Sequence, residues 1–167
     1  FSPKKYALTK GIQAANTEWL VFTDADCRMG PEWLSEIASA VTEESEIVLG
    51  IGAYQKHPGL LNLWVRFETW WTGMQYLGLA GMGIPYMGVG RNLAYKKSLF
   101  EKNKGFANHA TRLSGDDDLF INQVATAKNT VAVISPESET ISEPPGTWKD
   151  WWLQKTRHFS AGTAYRG

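Results

Sequence analysis

Asp24 and Asp26 stand one residue apart at the end of an apolar run, in the stretch VFTDADCRMGPEWL from Val21 to Leu34. Side chains alternate faces along a strand, so residues two apart point the same way. If the strand of Val21 and Phe22 persists to Asp26, both carboxylates share one face at its C-terminal edge, which is where ligands bind in open α/β sheets. Two hard oxygen donors there suit Mg2+ or Mn2+ bridging to phosphate oxygens. A solvated turn would use the same letters, because Asp favours turns.

A second acidic stretch is SGDDDLF, Ser114 to Phe120. The helix macrodipole favours acids at an N-terminus, which accounts for one or two of them. Three in a row repel one another, and any one that faces a cleft is a candidate general base. A third stretch, WKDWWLQKTRHFSAG, places Gln154, Arg157 and His158 at i, i+3 and i+4, on one face of a helix. Arg157 can hold a phosphate by paired hydrogen bonds, although an ordinary solvated face has the same spacing.

The elements that must position these residues alternate between helix and strand. Periodicity predicts a helix over Lys4–Ala15 and a buried strand over Trp19–Asp24. A helix opened by Pro31 and a strand over Glu46–Tyr54 follow. Leu60, Leu63, Trp64, Phe67, Trp70, Trp71 and Met74 form a helical stripe within residues 59–79. An extended Val89–Tyr95, a short helix over Lys97–Asn103, a helix over Asp116–Lys128 and a strand over Thr130–Ser135 come next. Thr147 then caps a last helix running to about His158. Such alternation predicts one α/β domain over residues 1–167, with a mostly parallel sheet flanked by helices. A nucleotide-binding domain of this class usually opens on a strand and turn that hold the base, and nothing of that kind precedes Lys4. The sheet is therefore expected to be N-terminally incomplete.

With 43% hydrophobic and 20% charged residues the composition is that of a globular domain. The formal net charge of zero provides no global field for nucleic acid. Cys27, the only cysteine, excludes a disulfide framework within the chain and fits a reducing compartment. The eight tryptophans suit sugar rings, but core filling is the expected role of any single one. Thr69 to Gly90 carries no charge, yet its six glycines and Pro85 argue against a continuous spanning helix, leaving contact with a membrane surface open.

In their order, these stations resemble the family 2 inverting glycosyltransferases of the GT-A fold. The match is carried by Lys4 with Ala7, Leu8, Gly11 and Ile12, then TEWLVFTDADCRMGPEWL (17–34). GVGRNLAYKKSLFEKNKGF (88–106), SGDDDLFINQVA (114–125) and WLQKTRH (152–158) complete it. The resemblance implies the C-terminal two-thirds of a GT-A catalytic domain, without the N-terminal strands that cradle the nucleotide. It implies that Asp24 lies near the donor ribose and that Asp26, with Asp24, binds Mg2+ or Mn2+ on the diphosphate. Aligning on Leu119 makes Asp116 the base, with Gly115 where the family has Glu; sliding by one makes it Asp117, and Asp116 is preferred. Gln154 and Arg157 would grip the diphosphate and frame the acceptor, with His158 where the family has Trp. Lys4, Arg91 and Asn92 also fall to the substrate. The implied reaction moves a sugar from a UDP- or GDP-sugar to a saccharide or lipid-linked hydroxyl with inversion. The implied setting is cell-envelope polysaccharide synthesis in the cytoplasm or at the inner face of the membrane. Self-association through the Trp64–Met74 stripe is expected of a chain lacking those strands. The alternatives are an Asp-based phosphohydrolase or phosphotransferase, and a non-catalytic carbohydrate-binding fragment.

Overall fold

The computed structural model describes residues 2–107 and 115–162, with side chains in the last helix described as far as Thr156. Ser2 caps the first helix, α1 (Pro3–Ala14), by accepting from the Lys5 N–H, and Pro3 occupies the first position, where no donor is lost. Strand β1 (Trp19–Phe22), the two-residue β2 (Arg28–Met29) and helix α2 (Trp33–Ala40) follow. Next come β3 (Ile47–Leu49), β4 (Gly52–Tyr54), the long helix α3 (Leu60–Gly81), β5 (Leu93–Lys96) and α4 (Lys97–Lys102). Helix α5 (Asp118–Val124), β6 (Thr130–Ala132), β7 (Thr140–Ser142) and α6 (Trp148–Gly162) complete the described order.

The main sheet runs β1-β5-β3-β6, and strand alternation divides its side chains between two layers. Ile47, Leu49, Leu93 and Tyr95 face α3, α4 and α5, where Tyr76, Leu77, Phe100, Phe120 and Ile121 form the larger core. Val48 and Ala94 face the other way, onto Trp33 and Ile37 of α2. The α/β class with flanking helices is therefore present, but the pairing is mixed rather than mostly parallel. β5 lies antiparallel to both β1 and β3, and only β3–β6 is parallel in this sheet. A smaller sheet, β2-β7-β4, packs beside it.

The expected single strand over Glu46–Tyr54 is broken at Gly50, and its halves enter different sheets. A Cβ at Gly50 would lie 2.5 Å from the Asn92 side chain, so the chain passes Asn92 only with glycine there. The stripe from Leu60 to Met74 does lie on one helix, but on its outer face. α3 packs instead through Val65, Tyr76, Leu77 and Ala80. Core filling by tryptophan falls to Trp33, with Trp19 packed partly buried against the same cluster, while Trp64, Trp70, Trp71, Trp148 and Trp152 are exposed. No helix among the described residues is long and apolar enough to cross a membrane.

Candidate active site

β1 delivers the first acidic station, but it ends at Phe22, whose ring stacks on Tyr95 with centroids 4.4 Å apart. The chain then turns, and the Cys27 N–H donates to the Asp24 carbonyl at 3.1 Å. The shared strand face expected for Asp24 and Asp26 is thus corrected: both sit in a turn, where strand alternation no longer orients them. Asp24 is half-exposed and reaches inward, whereas Asp26 is exposed and has no hydrogen bond or ion pair among the described residues.

Helix α1 brings the cation. The Lys4 ammonium lies 2.9 Å from Asp116 Oδ2 and 3.4 Å from Asp24 Oδ1, and so ties the two acidic stations together. Burial alone would lower its pKa, but attraction by Asp116 first, then Asp117 and Asp24, outweighs that and raises it well above the usual lysine range. Asp116 is almost fully buried, at 8% exposure. Beside these groups a cavity of about 30 Å³ is lined by Thr23, Asp24, Gly90, Tyr95 and Asp116 among others, enough for about one water. The Thr23 hydroxyl is buried without a partner among the described residues, a polar atom left for a ligand to meet. Burial, with Asp116 and Asp117 nearby, raises the Tyr95 pKa and keeps that phenol neutral.

Asp117 has a different task. Its Oδ2 accepts the Gly90 N–H at 2.7 Å and its Oδ1 the Asp118 N–H at 2.8 Å, so it caps α5 and pins the loop before β5. Helix α5 therefore starts at Asp118 rather than Asp116. Gly115, at φ +91°, supplies the left-handed turn that points Asp116 toward Lys4, and a Cβ there would lie 2.3 Å from Leu119 Cδ1.

Asn92 and Arg91 are placed differently from the expected substrate ligands. Asn92 is 1% exposed. Its oxygen accepts Trp33 Nε1–H at 3.1 Å, and its amide donates to the carbonyls of Ile51 and Ser138 at 2.8 and 2.6 Å. That commitment makes it a bracket between the two sheets. Arg91 lies over the Tyr54 ring at 4.3 Å and donates to Ser142 Oγ at 3.0 Å. Gln154 Nε2 donates to the Tyr54 hydroxyl at 3.0 Å, so Tyr54 joins the loop of Arg91 to α6. Arg157 and His158 lie on α6, but their side chains are outside the described residues. Sequence reasoning passes over Tyr54 and Thr23. Tyr54 could have been suspected from Gly52, which gives Arg91 room to lie across β4: a Cβ there would be 2.9 Å from Arg91 Cβ.

For a divalent cation the chain offers Asp24 and Asp26, and no cluster of three or more His, Cys, Asp or Glu exists among the described residues. Two carboxylates with the rest of the shell from diphosphate and water is an ordinary way to bind Mg2+. The donor set fits such an ion.

Among solved structures, the chain is similar to a mannosyltransferase, PcManGT from Pyrobaculum calidifontis, described in complex with GDP-Man and Mn2+. The TM-score is 0.64 and the identity 18%, over 98% of this chain and 44% of that one. The likeness is one of fold, and the chain spans less than half of that neighbour. No curated protein matches the chain. The family described as Glycosyl transferase family group 2 matches residues 19–163, which take in both acidic stations, the bracket of Asn92 and helix α6, and the chain belongs to that family.

Proposed function

We propose that residues 1–167 carry the metal-binding and acid–base part of a glycosyltransferase site that moves a sugar from a nucleotide-diphosphate sugar to an acceptor hydroxyl with inversion. The observation that carries this reading is the Lys4 ammonium held between Asp116 and Asp24, with Asp117 committed to backbone donors. Lys4 holds Asp116 in place at 2.9 Å, beside the small cavity. Asp116 accepts the proton of the acceptor hydroxyl while that oxygen bonds to the anomeric carbon. The bond from that carbon to the diphosphate breaks with its electron pair leaving on oxygen. Asp24 and Asp26 would hold Mg2+ or Mn2+, which when bound neutralises charge on the leaving diphosphate.

A UDP- or GDP-sugar donor is part of this proposal, supported by the GDP-Man named for the structural neighbour. So are a saccharide or lipid-linked acceptor and work at the cytoplasmic face of a membrane. Further strands of a complete GT-A sheet would add along β1, whose outer edge is unpaired among the described residues. Beside it a groove of about 500 Å³ opens between β1 and α1.

Calorimetric titration of UDP and GDP into the intact enzyme, with and without Mn2+, tests the donor side. Mn2+-dependent binding that Asp26→Ala weakens at least tenfold is expected. Affinity indifferent to both chelation and Asp26→Ala would contradict the proposal.

A further inference from the structure

Tyr54 closes β4 and touches two elements from distant parts of the chain. The Arg91 guanidinium lies over its ring at 4.3 Å, close enough for the ring face to attract the cation. Its hydroxyl accepts Gln154 Nε2–H from α6 at 3.0 Å. β4 is shaped for this stack. Gly52 and Tyr54, two apart, share a strand face, and a Cβ at Gly52 would lie 2.9 Å from Arg91 Cβ. β7 adds two buried hydroxyls. The Arg91 side chain donates to Ser142 Oγ, and its carbonyl accepts from the Thr140 hydroxyl, both at 3.0 Å. Arg91 is thus held by side chain and backbone alike.

The contacts run on to the acid–base station. Gly90, next to Arg91, donates to Asp117 Oδ2 at 2.7 Å, and Asp117 adjoins Asp116. Asp117–Gly90, Arg91–Tyr54 and Tyr54–Gln154 therefore make a continuous path from the acid pair to α6. The helix has a separate anchor on α3, where Glu68 accepts Trp151 Nε1–H at 2.9 Å and the Lys155 ammonium at 2.7 Å. Glu68 fixes α6 to α3, whereas the Tyr54 hydroxyl fixes the turn that carries Gln154 to the sheet. A glutamine amide has two protons to give. Tyr54 takes one, and Gln154 has no other hydrogen bond among the described residues, so the second is left to meet an acceptor. The Arg91 charge nearby favours an anionic one.

We propose that Tyr54 is a positioning residue: stacked under Arg91, it holds Gln154 with one amide N–H presented to a phosphate oxygen of the nucleotide. The identity of that anion rests on the transfer reading; the tie between Tyr54 and Gln154 does not.

Calorimetric titration of UDP and of GDP into the intact enzyme with Mn2+ tests the placement. Tyr54→Phe keeps the ring beneath Arg91 and removes only the hydroxyl. It should weaken whichever nucleotide binds about tenfold, since a hydrogen bond to a charged group is at stake. In a Gln154→Leu background Tyr54→Phe should weaken binding no further, because Tyr54 acts through Gln154. A merely structural role would add its loss to that of Gln154→Leu. Hydrogen exchange tests the tie without nucleotide. The α6 amides around Gln154 should exchange faster in Tyr54→Phe, while those of β3 and β5 keep the wild-type rate. Unchanged or tighter nucleotide binding by Tyr54→Phe, additive losses, or unchanged exchange around Gln154 would each overturn the proposal. A wild type that binds neither UDP nor GDP would sink the transfer reading and the phosphate assignment with it, whereas faster exchange around Gln154 would still show that Tyr54 holds the helix.

Discussion

Two adjacent aspartates differ here by what their oxygens touch. Asp117 accepts two backbone N–H groups, and Asp116 meets one lysine beside a small cavity. Asp117→Ala removes a helix cap and leaves the Gly90 N–H unanswered, which should cost about 1–2 kcal/mol, read as a lower melting temperature. Asp116→Asn keeps the shape but removes the charge that answers the Lys4 ammonium, so it should lower that temperature too, by less than Asp117→Ala because Lys4 is half-exposed. Lys4 also sets a pH dependence. Its folded pKa lies above the ordinary 10.5, so the ion-pair stabilisation is complete below that value and is lost as pH rises toward the folded pKa. Thermal melts at rising alkaline pH should fall more steeply in the wild type than in Lys4→Met. Parallel curves would show that the pair contributes nothing.

At the scale of elements, glycine and asparagine decide where chains pass. Gly115→Ala would force a left-handed φ on a residue with a Cβ and press it onto Leu119, at a cost of order 1–3 kcal/mol. Asn92→Ala would strand Trp33 Nε1–H and the carbonyls of Ile51 and Ser138, and should cost about 3 kcal/mol in denaturant unfolding. The order of helices and strands is legible from periodicity, and so is the capped start at Thr147, whose hydroxyl accepts from the Asp150 N–H. Other features depend on partners far along the chain. The break at Gly50 exists because a side chain from position 92 crosses it. β2 and β7 have two and three residues, too few for alternation to show. The stripe of α3 announces a helix, but periodicity says only that one face is apolar, not that it is buried; the small residues Gly73 and Ala80 mark the packed side.

For the whole molecule, family membership rests on a match to residues 19–163, and the architecture on a neighbour of twice the span. Asp24 and Asp116 were legible as separate stations, whereas their junction through Lys4 was not, because the lysine arrives from α1 and the stations lie 92 positions apart in sequence. Mn2+ titration followed by electron paramagnetic resonance should show weak binding that a nucleoside diphosphate strengthens and Asp26→Ala abolishes, with no change in melting temperature; tight Mn2+ binding that survives Asp26→Ala would remove this turn from the site. The central claim, that Asp116 is the base, meets its most direct test in single-turnover transfer of labelled sugar by the intact enzyme. Asp116→Asn should keep donor affinity and lower the transfer rate on the order of a hundredfold or more. The folded fraction of Asp117→Asn should lose far less. An active Asp116→Asn, whether or not Asp117→Asn is dead, would contradict the account.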